Sequence, residues 1–410
     1  MTDRAAGAPP ARRAYLDHAS TSPLRPAAGA ALLAALDPVT GLVGDPGRIH
    51  ADGMAARVAV ESARDEVAAL FGARNREVVF TSGATEAIAS AAFGAAARVP
   101  GGGHQIVTAV EHSAVRRAAE RSGEVTVVPV DGAGRVDADA VLAAVRPDTA
   151  LVHVQWGNHE VGTVQPVATV VAGCRDRGVL VHVDAAQAAG RVPIGFRDLG
   201  ADLLSVSAHK LGGPAGVGAL LVRRGVRLDP LLVGGDQERA RRAGLENVAG
   251  VVAFGAACAQ LGTGGRLAAE AAEQRRLADR VIAGVSGLGG LTLYGPPPAG
   301  SPGSPSSPGS SGGGPTGDGR LPHIVCLGVA GIEPQAVLLG LDRAGVSAHS
   351  GSACSSEALE PSPVLAAMGV DAHHSLRVSL GWSSTDADVD HLLAALPRVL
   401  AELRALATRA

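Results

Sequence analysis

Seven short runs rich in Val, Leu and Ile punctuate the first part of this 410-residue chain, at 77–81, 105–109, 124–130, 150–154, 179–184, 202–207 and 218–223. Between them lie Ala-rich stretches with helical spacing. Strands that are apolar on both sides must be covered on both faces, and the alternation with helices supplies the cover. The pattern predicts an α/β protein built on a mainly parallel seven-stranded sheet. Ligand sites in such sheets lie outside the carboxyl ends of the strands.

The remaining chain predicts a second unit. A helix at 264–287 leads out of the sheet region. A strand at 323–328, a helix at 334–344, a loop around Cys354, a strand at 375–380 and a helix at 386–407 follow. We assign 1–14 to a flexible tail, 15–262 to a large domain whose N-terminal segment partly joins the small one, and 263–410 to a small C-terminal α/β domain. Residues 295–319 are almost pure Pro, Gly and Ser and read as a disordered surface insertion in that small domain.

Composition excludes several classes. The formal net charge of −3 carries no electrostatic signature of nucleic-acid binding. There is no run of 18 apolar residues, so no membrane span is expected. The opening MTDRAAGAPPARR lacks the apolar centre of a signal peptide. The four cysteines, Cys174, Cys258, Cys326 and Cys354, form no CxxC pair. They predict neither a disulfide framework nor a metal site, and they suit a reducing cytoplasm.

One count points to chemistry. Lys and Arg total 36, yet Lys210 is the single lysine. Arginine can replace lysine wherever a positive charge is enough, but not where a neutral, nucleophilic amine is needed. Lys210 follows the apolar run LLSVS, and Asp184 closes the run VLVHVD, so both face one edge of a parallel sheet. A lysine and a carboxylate so placed suit pyridoxal phosphate: the amine condenses with its aldehyde and the carboxylate holds its ring nitrogen protonated. The alternative is a structural ion pair. A phosphate cradle should lie nearby, and FTSGATE reads as a strand, a tight turn and a helix start near Ala84. Free N–H groups there bind anions, with Thr85, Ser207 and His209 as further donors. His112, after the run 105–109, falls at the same sheet edge, where it can stack on a ring and shuttle protons.

These residues sit within stretches that resemble the cysteine desulfurases, in the class V aminotransferase group of fold type I pyridoxal-phosphate-dependent enzymes. The stretches are YLDHASTSPLRP (15–26), FTSGATE (80–86), EHSAV (111–115), HEVGTVQPV (159–167), HVDAAQ (182–187), SVSAHKLGGPAGVGAL (205–220), GGDQERARRAGLENV (234–248) and HSGSACSSEALEPSPVL (349–365). They cover nearly the whole chain in family order. The resemblance implies a cytoplasmic homodimer, with active sites at the subunit interface, that converts L-cysteine to L-alanine. Lys210 would carry the cofactor and move protons, and Asp184 would pair with the ring nitrogen. Gln187 would bond the phenolic oxygen and His112 would stack on the ring. Ala84, Thr85, Ser207 and His209 would hold the phosphate. Arg377 would clamp the substrate carboxylate. Cys354, on a loop with Gly351, Ser352 and Ala353, would take the sulfur as a persulfide and pass it to an acceptor protein. The length of that loop implies the type that serves an iron–sulfur scaffold or a tRNA-thiolation factor.

Three positions depart from the family pattern. The usual Asn-Asn-Glu reads Asn158-His159-Glu160, so His159 would be the donor to the phenolic oxygen. A threonine that reaches the partner subunit's phosphate is replaced by Leu245. The substrate-side Gly-Asn-Pro reads Gly44-Asp45-Pro46. A selenocysteine lyase, a class V aminotransferase or epimerase, and a weakly active pyridoxal-binding partner protein remain alternatives.

Overall fold

A computed structural model describes residues 13–101, 103–298, 319–350 and 361–407. In chain order its strands are β1 (Ala14–Tyr15), β2 (Val78–Thr81), β3 (His104–Thr108), β4 (Val125–Val128), β5 (Thr149–Gln155), β6 (Leu180–Asp184), β7 (Leu203–Ser207), β8 (Gly218–Val222), β9 (Leu291–Tyr294), β10 (Ile324–Val329), β11 (Val346–Ser347) and β12 (Ser375–Ser379). Each of the seven apolar runs is a strand, with bounds shifted by no more than two residues. Together they form one sheet in the order β2-β8-β7-β6-β5-β3-β4. The pairs among β7, β6, β5, β3 and β4 are parallel, and β8 runs antiparallel to both β2 and β7.

The helix Ala84–Ala96 shows why the sheet is covered closely. Ala87, Ala91 and Ala95 recur every four residues and are buried against Val79, Leu151, Leu203 and Leu220. Small side chains at that spacing bring the helix axis near the strands. On the opposite face, the helices Pro26–Ala35, Ala51–Leu70 and Val248–Gly262 pack together.

A second core gathers Ala14, Leu16, Leu277, Val281, Leu327, Val378, Leu392 and Leu396. It lies between the antiparallel sheet β12-β10-β9, the parallel pair β1-β11 and the helices Arg266–Val285, Pro334–Arg343 and Asp386–Ala407. Truncating a fully buried leucine such as Leu392 to alanine in such a core costs roughly 2–5 kcal/mol. The N-terminal segment enters this core, and Ala14, placed in the tail by sequence, already pairs with Val346. Strand β9 was not foreseen, because four residues beside a Pro/Gly/Ser run carry too little pattern. The tail up to residue 12 and insertion residues 299–318 lie outside the described residues.

Among the described residues no single helix is long and apolar enough to cross a membrane. One bent pair, Val248–Gly262 with Arg266–Val285, meets that test by length and composition. No group of three or more His, Cys, Asp or Glu among them could hold a metal ion.

Candidate active site

Gln155, Asp184 and Ser207 are the last residues of β5, β6 and β7, so one edge of the sheet presents all three. The turn after β2 reaches the same edge. There Gly83 adopts φ +156°, and Gly218 packs so closely on it that a Cβ at 218 would stand 2.7 Å from the Gly83 Cα. The two glycines let the start of the helix Ala84–Ala96 close over the strand ends. Together with the segment 19–20 and Arg377 of β12, they enclose a cavity of about 430 Å³. Ala84, Thr85, His112, His159, Asp184, Gln187, Ser207, His209, Lys210 and Arg377 all line it.

Lys210 sits just past β7, and its Nζ donates to the Ala19 carbonyl. Burial, reinforced by the Arg377 guanidinium, lowers its pKa to about 8. Asp184 Oδ1 accepts the Ala186 N–H at 2.9 Å. Gln187 donates one amide hydrogen to Ala19 O at 2.8 Å and accepts from His323 Nε2 at 3.3 Å, which leaves its second amide hydrogen for a ligand. His112 caps the helix Ser113–Ser122: its Nδ1 accepts the Ala114 N–H at 3.1 Å. Its ring meets that of His159 edge to face, with centroids 5.1 Å apart. Burial and the neighbouring His112, Arg377 and Lys210 hold the His159 pKa well below the usual imidazole value, so His159 is a neutral donor or acceptor. His209, lowered to about 4 by burial and Lys210, lies 3.1 Å from the Thr21 hydroxyl.

Arg377 reaches the cavity with its guanidinium already engaged. It donates to His159 O at 2.9 Å, Asp17 Oδ1 at 3.0 Å and Ser20 Oγ at 2.8 Å, while its Nε has no partner among the described residues. Asp17 and Ser20 were given no role by sequence, although they lie in a matched stretch. Glu111 was missed too. Its Oε1 accepts from the Thr108 hydroxyl and the Gln155 N–H, both at 2.8 Å, and its Oε2 has no partner among the described residues. Burial and the nearby Asp184 push its pKa up to about 8, so Glu111 largely keeps its proton near neutrality.

Asp45 lies apart from these residues within its own chain. It does not line the cavity of its own chain; its carboxylate accepts the Gly47 N–H at 2.7 Å and pairs with Arg48 at 3.2 Å. A short Asp-Pro-Gly-Arg turn satisfies it locally. Cys354 lies outside the described residues. Cys174, Cys258 and Cys326 are buried, with burial raising their thiols to about 11, above the usual thiol range and to about 12 respectively. None of these three is a thiolate near neutrality.

The aminotransferase class-V family model matches residues 14–392. The chain belongs to the class V aminotransferase family. It is 39% identical over 400 residues to cysteine desulfurase IscS 1 of Archaeoglobus fulgidus, covering 96% of this chain and 98% of that protein. It is 41% identical over 403 residues to a cysteine desulfurase of Cereibacter sphaeroides, covering 96% and 97%. A solved NifS-like protein superposes with a TM-score of 0.83 at 29% identity, covering 95% of this chain and all of that one.

Class V aminotransferases use pyridoxal phosphate, and this cavity fits it. Among the described residues no side chain caps the helix that starts at Ala84, so its first N–H groups are free to receive a phosphate beside Thr85, Ser207 and His209. The lone lysine has a lowered pKa, and Asp184 shares the cavity with it. His159 and His209, both held neutral, and the amides of Gln155 and Gln187 share the lining with the Arg377 guanidinium.

Proposed function

We propose that this class V aminotransferase is a cysteine desulfurase. Its overall reaction breaks the C–S bond of L-cysteine and joins the sulfur to the Cys354 sulfur. The Cys354 thiol hydrogen and the substrate thiol hydrogen are redistributed, so the products are L-alanine and a Cys354 persulfide. The carbon is reduced and the sulfur oxidised, and no outside redox partner is needed. The observation that carries this reading is the cavity holding the chain's single lysine, its pKa lowered, with Asp184 at the same strand edge.

Bound pyridoxal phosphate supplies an electron sink for the substrate's carbon atoms. The chain's residues do the rest. The helix start at Ala84 and Thr85 holds the phosphate, and Asp184 holds the ring nitrogen. Gln187 and His159 offer donors to the phenolic oxygen, and His112 covers the ring. Lys210, with an appreciable neutral fraction near pH 7, removes the proton from the substrate α carbon. Arg377 takes the substrate carboxylate, and the Asp17 and Ser20 contacts keep the guanidinium in place beforehand.

A homodimer is part of this proposal. Leu33, Leu36, Val39, Val43, Ile49 and Val58 are exposed, Ile49 at 94%, and so are Val233 and Leu245 on a segment tied to the same helix through Arg64–Glu238 and Arg239–Glu61. A band of this kind suits burial against a second copy. Asp45 lies in it. The sulfur passes from Cys354 to an acceptor protein of the iron–sulfur scaffold or tRNA-thiolation type.

The test is turnover of L-cysteine with pyridoxal phosphate and a reductant. Equal alanine and sulfide are expected from the wild type, and neither from Lys210→Ala or Cys354→Ser. Alanine production surviving in Cys354→Ser would move the activity to a lyase that needs no thiol.

A further inference from the structure

Four polar side chains cross the buried interior of the sheet in a row where apolar residues would pack. They are Gln105 on β3, His153 on β5, His182 on β6 and Ser205 on β7, from four strands adjacent in the sheet, and each has 0% exposure. The site described above uses none of them. Their hydrogen bonds fix one another's protons. Gln105 gives an amide hydrogen to Ala92 O at 3.4 Å, which turns its Oε1 toward His153 Nε2 at 2.8 Å. His153 therefore carries its hydrogen on Nε2, and its bare Nδ1 accepts from His182 Nδ1 at 3.0 Å. His182 Nε2 is then bare in turn and accepts the Ser205 hydroxyl hydrogen at 3.1 Å. Burial lowers both imidazole pKa values, His153 to about 3, so both rings stay neutral at working pH.

The row ends beside Asp184. Ser205 Oγ lies 3.5 Å from Asp184 Oδ1, longer than its 3.1 Å contact with His182. A hydroxyl has one hydrogen, and the histidines take it. We propose that Gln105, His153 and His182 are a positioning relay that keeps the Ser205 hydroxyl turned away from Asp184, preserving the carboxylate's full charge for the cofactor's ring nitrogen. This rests on the pyridoxal-phosphate reading of the cavity. The relay residues touch neither substrate nor cofactor and act through Asp184. The other titratable groups facing Asp184 are Lys210, His159 and Glu111, and the variants below leave all three in place.

The relay can be cut without touching the site. In His182→Leu, Ser205 loses its acceptor and its hydroxyl turns to Asp184. In His153→Leu, His182 can shift its hydrogen to Nε2, donate to Ser205 and so push the hydroxyl hydrogen toward Asp184. A hydrogen bond onto the carboxylate weakens its hold on the ring proton. With less positive charge on the ring, the lysine nitrogen bound to the cofactor becomes more basic.

The measurement is a pH titration of the visible absorption of the loaded enzyme. The midpoint should rise by about half a unit or more in His182→Leu and in His153→Leu. Ser205→Ala, which has no hydroxyl to turn, should keep the wild-type midpoint. The double variant His182→Leu with Ser205→Ala should return to it. An unchanged midpoint in the folded histidine variants overturns the relay. So does a double variant that keeps the shift of the single one, since a purely packing role for His182 predicts that result. If both histidine variants fail to fold, a displaced midpoint in Ser205→Ala alone still refutes the relay. Absence of a visible band in the wild type would instead sink the cofactor reading itself.

Discussion

Removing the lysine that carries the proposed chemistry should make the cofactor-free protein more stable. Lys210 has an ordinary pKa of 10.5 and a folded value of about 8, lowered first by burial and then by Arg377. A group that binds its proton less tightly when folded destabilises the fold while it is charged. That cost is full below about pH 8 and disappears as pH rises toward 10.5. The difference between the two values corresponds to about 3 kcal/mol at neutral pH. Solvent that reaches the amine through the cavity reduces this, and Lys210→Met also loses the hydrogen bond to Ala19 O. The net gain expected for Lys210→Met at pH 7 is therefore about 1–2 kcal/mol. Urea unfolding of cofactor-free wild type and variant, at matched protein concentration and at pH 7 and pH 10, measures it. The variant should be more stable at pH 7, and the gap should narrow at pH 10. A variant less stable at pH 7, or a gap that does not change with pH, would show that the amine is not held against its charge.

Two further outcomes follow from buried charge. Glu238→Gln should cost about 3–5 kcal/mol, because it strips Arg64 of a carboxylate that it meets at 2.6 and 2.8 Å deep inside the protein; a loss under about 1 kcal/mol in urea unfolding would refute the pairing. His18 and His153 are lowered to about 3, His209 to about 4, and His159, His182 and His323 well below their usual value, all chiefly by burial. Their unfolded forms take protons first, so the stability they allow is complete above about pH 6.5 and is lost as pH falls. Glu111 and Glu160, raised to about 8 and about 7 by burial, act in the opposite sense between pH 4.5 and 8. Six histidines outweigh two glutamates, so melting scans should show a steep loss between pH 6.5 and 5; a maximum at pH 5 would refute the assignment.

The sheet was legible because parallel strands buried on both faces must be apolar throughout, and seven such runs stand out from the Ala-rich segments between them. Lys210 was legible because arginine has taken every other basic position. What escaped is what only the third dimension brings together. His153 and His182 are 29 residues apart and look like isolated polar interruptions of apolar strands; the strand register sets them side by side. Asp17 and Ser20 are 360 and 357 residues from the arginine they hold. Strands β1 and β11 have two residues each, too few for any alternation to show.

The segment Glu238–Ala240 shows how strain elsewhere serves the cavity. Glu238, Arg239 and Ala240 have φ values of 47°, 59° and 59°, all left-handed and none of them glycine. Each such residue costs about 1 kcal/mol or more. The return is visible at both ends of the segment. Glu238 accepts two hydrogens from Arg64 and the Phe80 N–H at 2.8 Å, which anchors the segment to β2. Arg242 then reaches Glu86 at 2.9 Å, and the other Glu86 oxygen accepts the Ser82 N–H at 2.8 Å. Ser82 and Glu86 flank the turn whose free N–H groups face the cavity. A turn left to itself after a strand could tilt and lose the convergence of those groups. Clamped from β2 on one side and from Arg242 on the other, it cannot, and the backbone strain is the cost of aiming a helix start at an anion.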